Sequence, residues 1–149
     1  MSRLNIGFVC GTFDLLHAGH VILLETIRKQ CDYLKVGLQT NPHLDRPEKN
    51  PPVQTIYERY IQLRALPAVD GIIPYDTERD LLNLLATQDI NTRFLGDDAS
   101  PTSYTGYGIC MSRGIKVVFI PRLHTFSSSD LRERVFRAEF HVQGTTDYE

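Results

Sequence analysis

Two histidines, His17 and His20, lie three residues apart just after a glycine-bearing turn and just before an apolar run with helical spacing. At the start of a helix, positions three apart share one face. The first amides of a helix lack partners and carry partial positive charge, so they suit a phosphate. Two imidazoles placed there add donors aimed at one anion, an arrangement for binding or transferring a phosphate group. A second cluster lies near the far end of the chain, where Ser127-Ser128-Ser129 opens the last helix and Arg122 precedes it by five residues. Hydroxyls and unpaired amides at a helix start suit an anion, and a guanidinium adds a charged fork. Between these clusters, Lys49 sits in a proline-rich loop and Gly96-Asp97-Asp98 follows a strand end. Asp14 has two readings: a base or metal ligand, or a carboxylate that holds the shape of the turn.

The elements that must position these groups follow from periodicity. Ile6 to Cys10 is a short buried strand, and Leu24, Ile27 and Cys31 mark the inner face of a first helix. Tyr33–Gln39 is a second strand, and Pro42 ends it by excluding helix from the residue before. Residues 42–53 form a polar loop, and Thr55 to Leu66 is a helix. Gly71–Tyr75 is a third strand. Thr77 caps a helix from Glu78 to Gln88, with Asp80 at its third position. Arg93–Leu95 is the fourth strand. Gly108–Arg113 is a weak helix closed by Gly114, and Lys116–Ile120 is the fifth strand. The last helix runs to about Phe140 with Leu131, Val135 and Ala138 on one face.

Strands alternating with helices predict one doubly wound, Rossmann-like parallel α/β sheet of five strands, helices on both faces. Ligands of such sheets sit beyond the carboxyl ends of the strands, near the topological switch point. One domain is expected over residues 1–140, with a frayed polar tail over 141–149. The 149 residues suffice for one domain with a real core. A net charge of −2 gives no basic field for nucleic acid or an anionic membrane. No apolar run is long enough to span a bilayer. Cys10, Cys31 and Cys110 read as reduced, mostly buried thiols of a cytoplasmic protein. A zinc site built from Cys10, His17 and His20 lacks the usual ligand spacing. The turn after the first strand lacks G-x-G-x-x-G, which argues against a nicotinamide-dependent oxidoreductase.

Gly11-Thr12-Phe13-Asp14-Leu15-Leu16-His17-Ala18-Gly19-His20 resembles the GxFDxxHxGH motif of the cytidylyltransferase-like nucleotidyltransferases, among which the glycerol-3-phosphate cytidylyltransferases are nearest. The resemblance extends over about residues 4–138. Arg122-Leu123-His124-Thr125-Phe126-Ser127-Ser128-Ser129 is similar to the family's closing motif, Arg-Thr-Glu-Gly-Ile-Ser-Thr-Thr, with Leu-His-Thr in place of Thr-Glu-Gly. The resemblance implies that His17 and His20 stabilise the α-phosphate of a nucleoside triphosphate, and that Lys49, with Arg46 as runner-up, reaches the phosphates. It implies that Arg122, Ser127, Ser128 and Ser129 grip the triphosphate, with Gly11, Thr12, Phe13, Gly19 and Asp97 lining the nucleotide site. Arg59 or Arg64 would steady the active-site loop. His124 is either a group that meets an acidic acceptor or a surface-loop residue. Tyr104 either helps form the acceptor pocket or belongs to a surface turn, and Asp14 is a further acceptor-side candidate. The implied reaction is nucleotidyl transfer to a small phosphorylated acceptor with release of pyrophosphate, CTP and glycerol 3-phosphate being the first expectation and ATP the alternative. Magnesium is expected with the triphosphate, and a homodimer is expected. A nucleotide-binding regulatory module without turnover is the reading from a different class.

Overall fold

The computed structural model describes residues 3–146. Five parallel strands, β1 (Ile6–Gly11), β2 (Tyr33–Gln39), β3 (Gly71–Tyr75), β4 (Thr92–Gly96) and β5 (Lys116–Ile120), form one sheet in the order β3-β2-β1-β4-β5. The chain reverses its direction of travel across the sheet between β1 and β4, which is the switch point where ligands gather in such folds. Five α-helices connect and flank the strands: α1 (Ala18–Arg28), α2 (Ile56–Arg64), α3 (Glu78–Thr87), α4 (Tyr107–Arg113) and α5 (Ser128–Thr146).

Alternation along β1 serves both faces of the sheet. Val9 joins the cluster of Leu24 and Ile27 from α1 and Leu63 from α2, while Phe8 joins Leu81 and Leu85 from α3 and Cys110 from α4. The helix boundaries follow local chemistry. Thr55 with Glu58, and Thr77 with Asp80, form reciprocal capping boxes. Gly114 ends α4 at φ +67°, a left-handed geometry that favours glycine.

Two expectations change. α5 continues to Thr146, so the chain remains helical well past Phe140, where a frayed tail was expected. Its supposed inner face is not one: Leu131 is half-buried, but Val135 and Ala138 are exposed, because the helix leaves the domain after its first turns. All three cysteines are free, with Cys31 and Cys110 buried. Cys10 packs with Phe8 and Tyr75 against the α3–α4 face of the sheet, which separates its thiol from the two histidines.

Candidate active site

The β1–α1 turn is held from behind. Asp14 is buried, and its carboxylate accepts hydrogen bonds from the backbone N–H groups of Val53 (2.9 Å) and Gln54 (2.9 Å) and from the Arg132 guanidinium (2.8 Å). These bonds hold its pKa below the usual carboxylate value even though burial opposes them. Arg59, 2% exposed, donates to the carbonyls of Gln54, Thr12, Gln39 and Thr40, the last three at 3.0, 2.6 and 2.7 Å. Of the two arginines proposed to steady the loop, the bonds belong to Arg59; Arg64 is exposed and lies over the Tyr60 ring. Phe13 and Leu15 take left-handed φ angles of 50° and 51° on either side of Asp14. Such backbone costs about 1 kcal/mol or more per residue and persists only where surroundings impose it. Here burial of the Phe13 ring and a 2.8 Å bond from the Leu15 N–H to Gln54 impose it.

The histidines cap α1 themselves. His17 is the N-cap, its Nδ1 accepting from the Gly19 N–H at 3.0 Å, and His20 Nδ1 accepts from the His17 N–H at 3.2 Å. A neutral imidazole whose Nδ1 accepts carries its proton on Nε2. The two rings stack with centroids 3.8 Å apart. Burial, then the neighbouring His17, pushes the His20 pKa down to about 4. Burial, then His124 and Arg122, also lowers His17. Both rings are therefore neutral N–H donors at pH 7. The Gly19 amide of α1 is taken by the His17 ring, and the imidazole N–H groups add donors at this helix start.

Beyond β1, β4 and β5 lies a cleft of ≈ 350 Å³ lined by His17, Gly19, His20, Asp97, Arg122, His124, Ser127 and Ser128, with Ile22, Leu23, Ile120 and Pro121 also in its wall. Arg122 donates from its guanidinium to the Phe126 carbonyl, and its N–H reaches Asp97 at 3.2 Å. Ser127 caps α5, its hydroxyl accepting from the Asp130 N–H at 3.0 Å. Ser128 donates to the Asp14 carbonyl at 3.3 Å, which ties α5 to the first turn. His124 lies inside the site. Its Nδ1 accepts from the Phe126 N–H at 3.1 Å, and a Cβ built on Gly19 would meet its ring at 2.6 Å and the His17 ring at 2.8 Å. Gly19 is thus required so that two imidazoles can crowd one backbone atom. Gly11 lines neither cleft, and a Cβ there would meet the Phe13 ring at 3.2 Å, so this glycine makes room for a side chain of its own turn.

A second cleft of ≈ 310 Å³ adjoins the first and shares His20 and Ser128 with it; Thr12, Phe13, Asp14, Lys49 and Arg132 also line it. Lys49 therefore stands apart from Arg122, on the other side of His20. Arg46 pairs instead with Glu78 and Gln39. Ser129 is exposed and lines neither cleft. Tyr104 also falls outside both. It packs against Phe119 and Tyr107 with the buried Arg93 guanidinium over its ring, a core role on the α3–α4 side of the sheet. Sequence reasoning missed Arg132 and Gln54. The signal for Arg132 was its place four residues after Ser128, on the same face of α5.

Strand, turn, histidine pair and serine-capped helix together match a known pattern. The model of the family described as cytidylyltransferase-like matches residues 8–134. The chain belongs to this family. The bifunctional protein HldE of Hyphomonas neptunium is 35% identical over 135 residues, covering 89% of this chain and 27% of that protein. HldE of Nitrobacter hamburgensis is 36% identical over 132 residues, covering 88% and 27%. The chain thus spans about a quarter of the length of these relatives. In fold it is similar to a lipopolysaccharide core biosynthesis protein from Thermoplasma volcanium, with TM-score 0.65 and 21% identity over 83% of this chain and 100% of that one. It is also similar to Thermotoga maritima TmcAL bound with α-thio ATP, with TM-score 0.67 and 13% identity over 93% and 52%. Among the described residues no helix is long and apolar enough to cross a membrane.

Proposed function

We propose that this chain transfers an adenylyl group from ATP to a small phosphate-bearing acceptor, with pyrophosphate as the leaving group. The observation that carries the reading is the stacked His17–His20 pair, locked by its own backbone bonds into neutral Nε2–H donors at a cleft shared with Arg122 and Ser127. Phosphoryl chemistry needs positioning and charge stabilisation more than covalent help. The histidines bind the α-phosphate where charge develops. Arg122 and the α5 N-terminus hold the phosphates that leave.

ATP takes the place of CTP as the preferred donor. The wall of Ile22, Leu23, Ile120 and Pro121 suits the broad face of adenine, and the TmcAL neighbour carries α-thio ATP. The lipopolysaccharide core protein of the same fold supports an acceptor of carbohydrate type over glycerol 3-phosphate alone. Magnesium fits as a companion of the triphosphate. Asp97 and Asp98 are exposed carboxylates on the cleft, and such ions are commonly held by one or two carboxylates plus substrate phosphates. The ion would offset charge on those phosphates. A homodimer is part of this reading: Phe136 and Phe140 of α5 stack in solvent, an apolar surface that a second copy would cover. Sedimentation velocity tests it.

The test of function is magnesium-dependent pyrophosphate release with ATP or CTP against a panel of sugar and polyol phosphates. ATP-dependent release is expected, with kcat falling about 10²- to 10³-fold in His17→Ala while nucleotide affinity changes by less than about fivefold. Release with CTP alone would reverse the choice of donor. Tight nucleotide binding without release from any pair would favour the regulatory module.

A further inference from the structure

His124 stands where the closing motif that this chain resembles has glutamate. The exchange replaces a side chain that, when ionised, only accepts hydrogen bonds with one that can donate them. Its neighbours determine what that donor meets. A Cβ built on Gly19 would come within 2.6 Å of the His124 ring and 2.8 Å of the His17 ring, and in both rings the nearest atom is Cε1. Cε1 lies between the two ring nitrogens, so the Nε2 atoms of His124 and His17 are each one bond from that meeting point. His17 in turn stacks on His20. The three imidazoles therefore form a row. His20 borders both clefts, whereas His124 lines the first without the second, together with Arg122.

The His124 ring is held before any ligand arrives. Its Nδ1 accepts from the Phe126 N–H at 3.1 Å, which leaves the ring proton on Nε2. The Phe126 ring stacks on it, with centroids 5.6 Å apart and planes 26° from parallel. The Phe126 carbonyl accepts from the Arg122 guanidinium, so one residue of an otherwise open loop orients both side chains. Among the described residues no hydrogen bond takes the His124 Nε2–H. The ring is half-buried at the cleft wall, where that donor is left for a ligand.

We propose that His124 is a third imidazole of the site and donates its Nε2–H to the β-phosphate of the bound nucleotide. This rests on the nucleotidyl-transfer reading above, in which His17 and His20 hold the α-phosphate. The polyphosphate continues from that phosphate, and the row of rings continues with it, from His20 at the shared edge of the clefts to His124 beside Arg122. A hydrogen bond at this place tightens as charge builds on the departing pyrophosphate. No proton is transferred.

The experiment needs no acceptor. AMP, ADP and ATP, each with magnesium, are titrated by calorimetry into wild type, His124→Ala, His124→Phe and His124→Gln, with CMP, CDP and CTP as a second series. His124→Ala and His124→Phe are expected to bind ADP and ATP about tenfold more weakly, while AMP affinity changes less than about twofold, since AMP ends at the α-phosphate. His124→Phe keeps a ring to stack on Phe126 but has no N–H, so it keeps the test sound if alanine loosens the loop. Glutamine has a side-chain N–H of similar reach and should recover most of the loss. Unchanged affinity for ADP and ATP in His124→Phe overturns the proposal. So does an equal loss of AMP affinity in that variant, which would assign the ring to the α-phosphate or to the support of His17. The same pattern in the cytidine series alone would reverse the choice of ATP and uphold the role of His124. Failure of wild type to bind either series overturns the transfer reading and this inference with it.

Discussion

Two helices point their N-termini at one site, and they are built differently. α1 is capped by His17, whose ring accepts from backbone at Nδ1 and keeps its Nε2–H for other use. Behind it stand a buried carboxylate, a buried arginine with four carbonyl partners, and two residues at positive φ. α5 is capped by Ser127 alone, and the loop leading to it is open, with Leu123 80% exposed. The contrast assigns the labour. On the proposed function, the first end is fixed before substrate arrives, as transition-state stabilisation requires. On the same reading, the open loop of the second suits recognition of a particular nucleotide.

The largest expected effect lies behind α1. Arg59→Met keeps the apolar stem but leaves the carbonyls of Thr12, Gln39, Gln54 and Thr40 without their donor. A loss of about 4 kcal/mol is expected, read as a fall of roughly 10 °C in melting temperature. A comparable substitution at exposed Arg122 should leave the melting temperature within a degree or two. If the two variants melt alike, the rigid and adaptable halves are not distinct.

Acid should open the same cap. His20 titrates near 6.5 when unfolded and is pushed down to about 4 in the fold, chiefly by burial and then by His17. Between those values the unfolded chain binds more protons, so stability falls as pH falls. The contribution is fully present above pH 6.5 and is lost progressively towards pH 4, about 3 kcal/mol in all. Protonation of Nδ1 also removes the acceptor for the His17 N–H. Denaturant titrations from pH 7 to pH 4 check this, and His20→Gln should flatten the slope. An unchanged slope would show that the stacked pair does not titrate as its burial requires.

Much of this was legible in the sequence, and the exceptions have physical reasons. The strands, the two Thr-led capping boxes and the α4 stop at Gly114 announce themselves because each is a local pattern. The HxGH turn is legible for the same reason. The place of Lys49 is not legible, because a loop's path cannot be found from its own residues; Asp14, holding Val53 and Gln54, draws that loop to the second cleft, beside His20. Tyr104 looked free because its partner, Arg93, reads as an ordinary strand residue until β4 is seen at the sheet's interior. α5 outran its expected end because a polar, exposed helix carries little apolar periodicity to mark its extent.

Gly19 is where the two halves touch, so a methyl group there tests their coupling. Gly19→Ala drives a Cβ into the rings of both His17 and His124. About 2 kcal/mol of stability should be lost, and kcat should fall tenfold or more as the imidazoles shift. Pairing it with His124→Ala separates the causes. If the clash with His124 dominates, the double variant recovers part of the stability; if the His17 clash dominates, it does not.

The smallest effect belongs to the α5 cap. Ser127→Ala removes the hydroxyl that satisfies the Asp130 N–H and should cost about 1 kcal/mol, Ser127→Gly only a few tenths. Because Val135, Phe136 and Phe140 are exposed, little tertiary packing couples the far part of α5 to the sheet. The loss should therefore appear as faster hydrogen exchange within α5 while global melting scarcely moves. At α1 the opposite holds: Leu24 and Ile27 are fully buried, so His17→Ala should lower global stability as well as turnover. If Ser127→Ala instead destabilises the whole domain, the hydrogen bond from Ser128 to the Asp14 carbonyl binds the two helix ends into one cooperative unit, and adaptability must be sought in residues 121–126 alone.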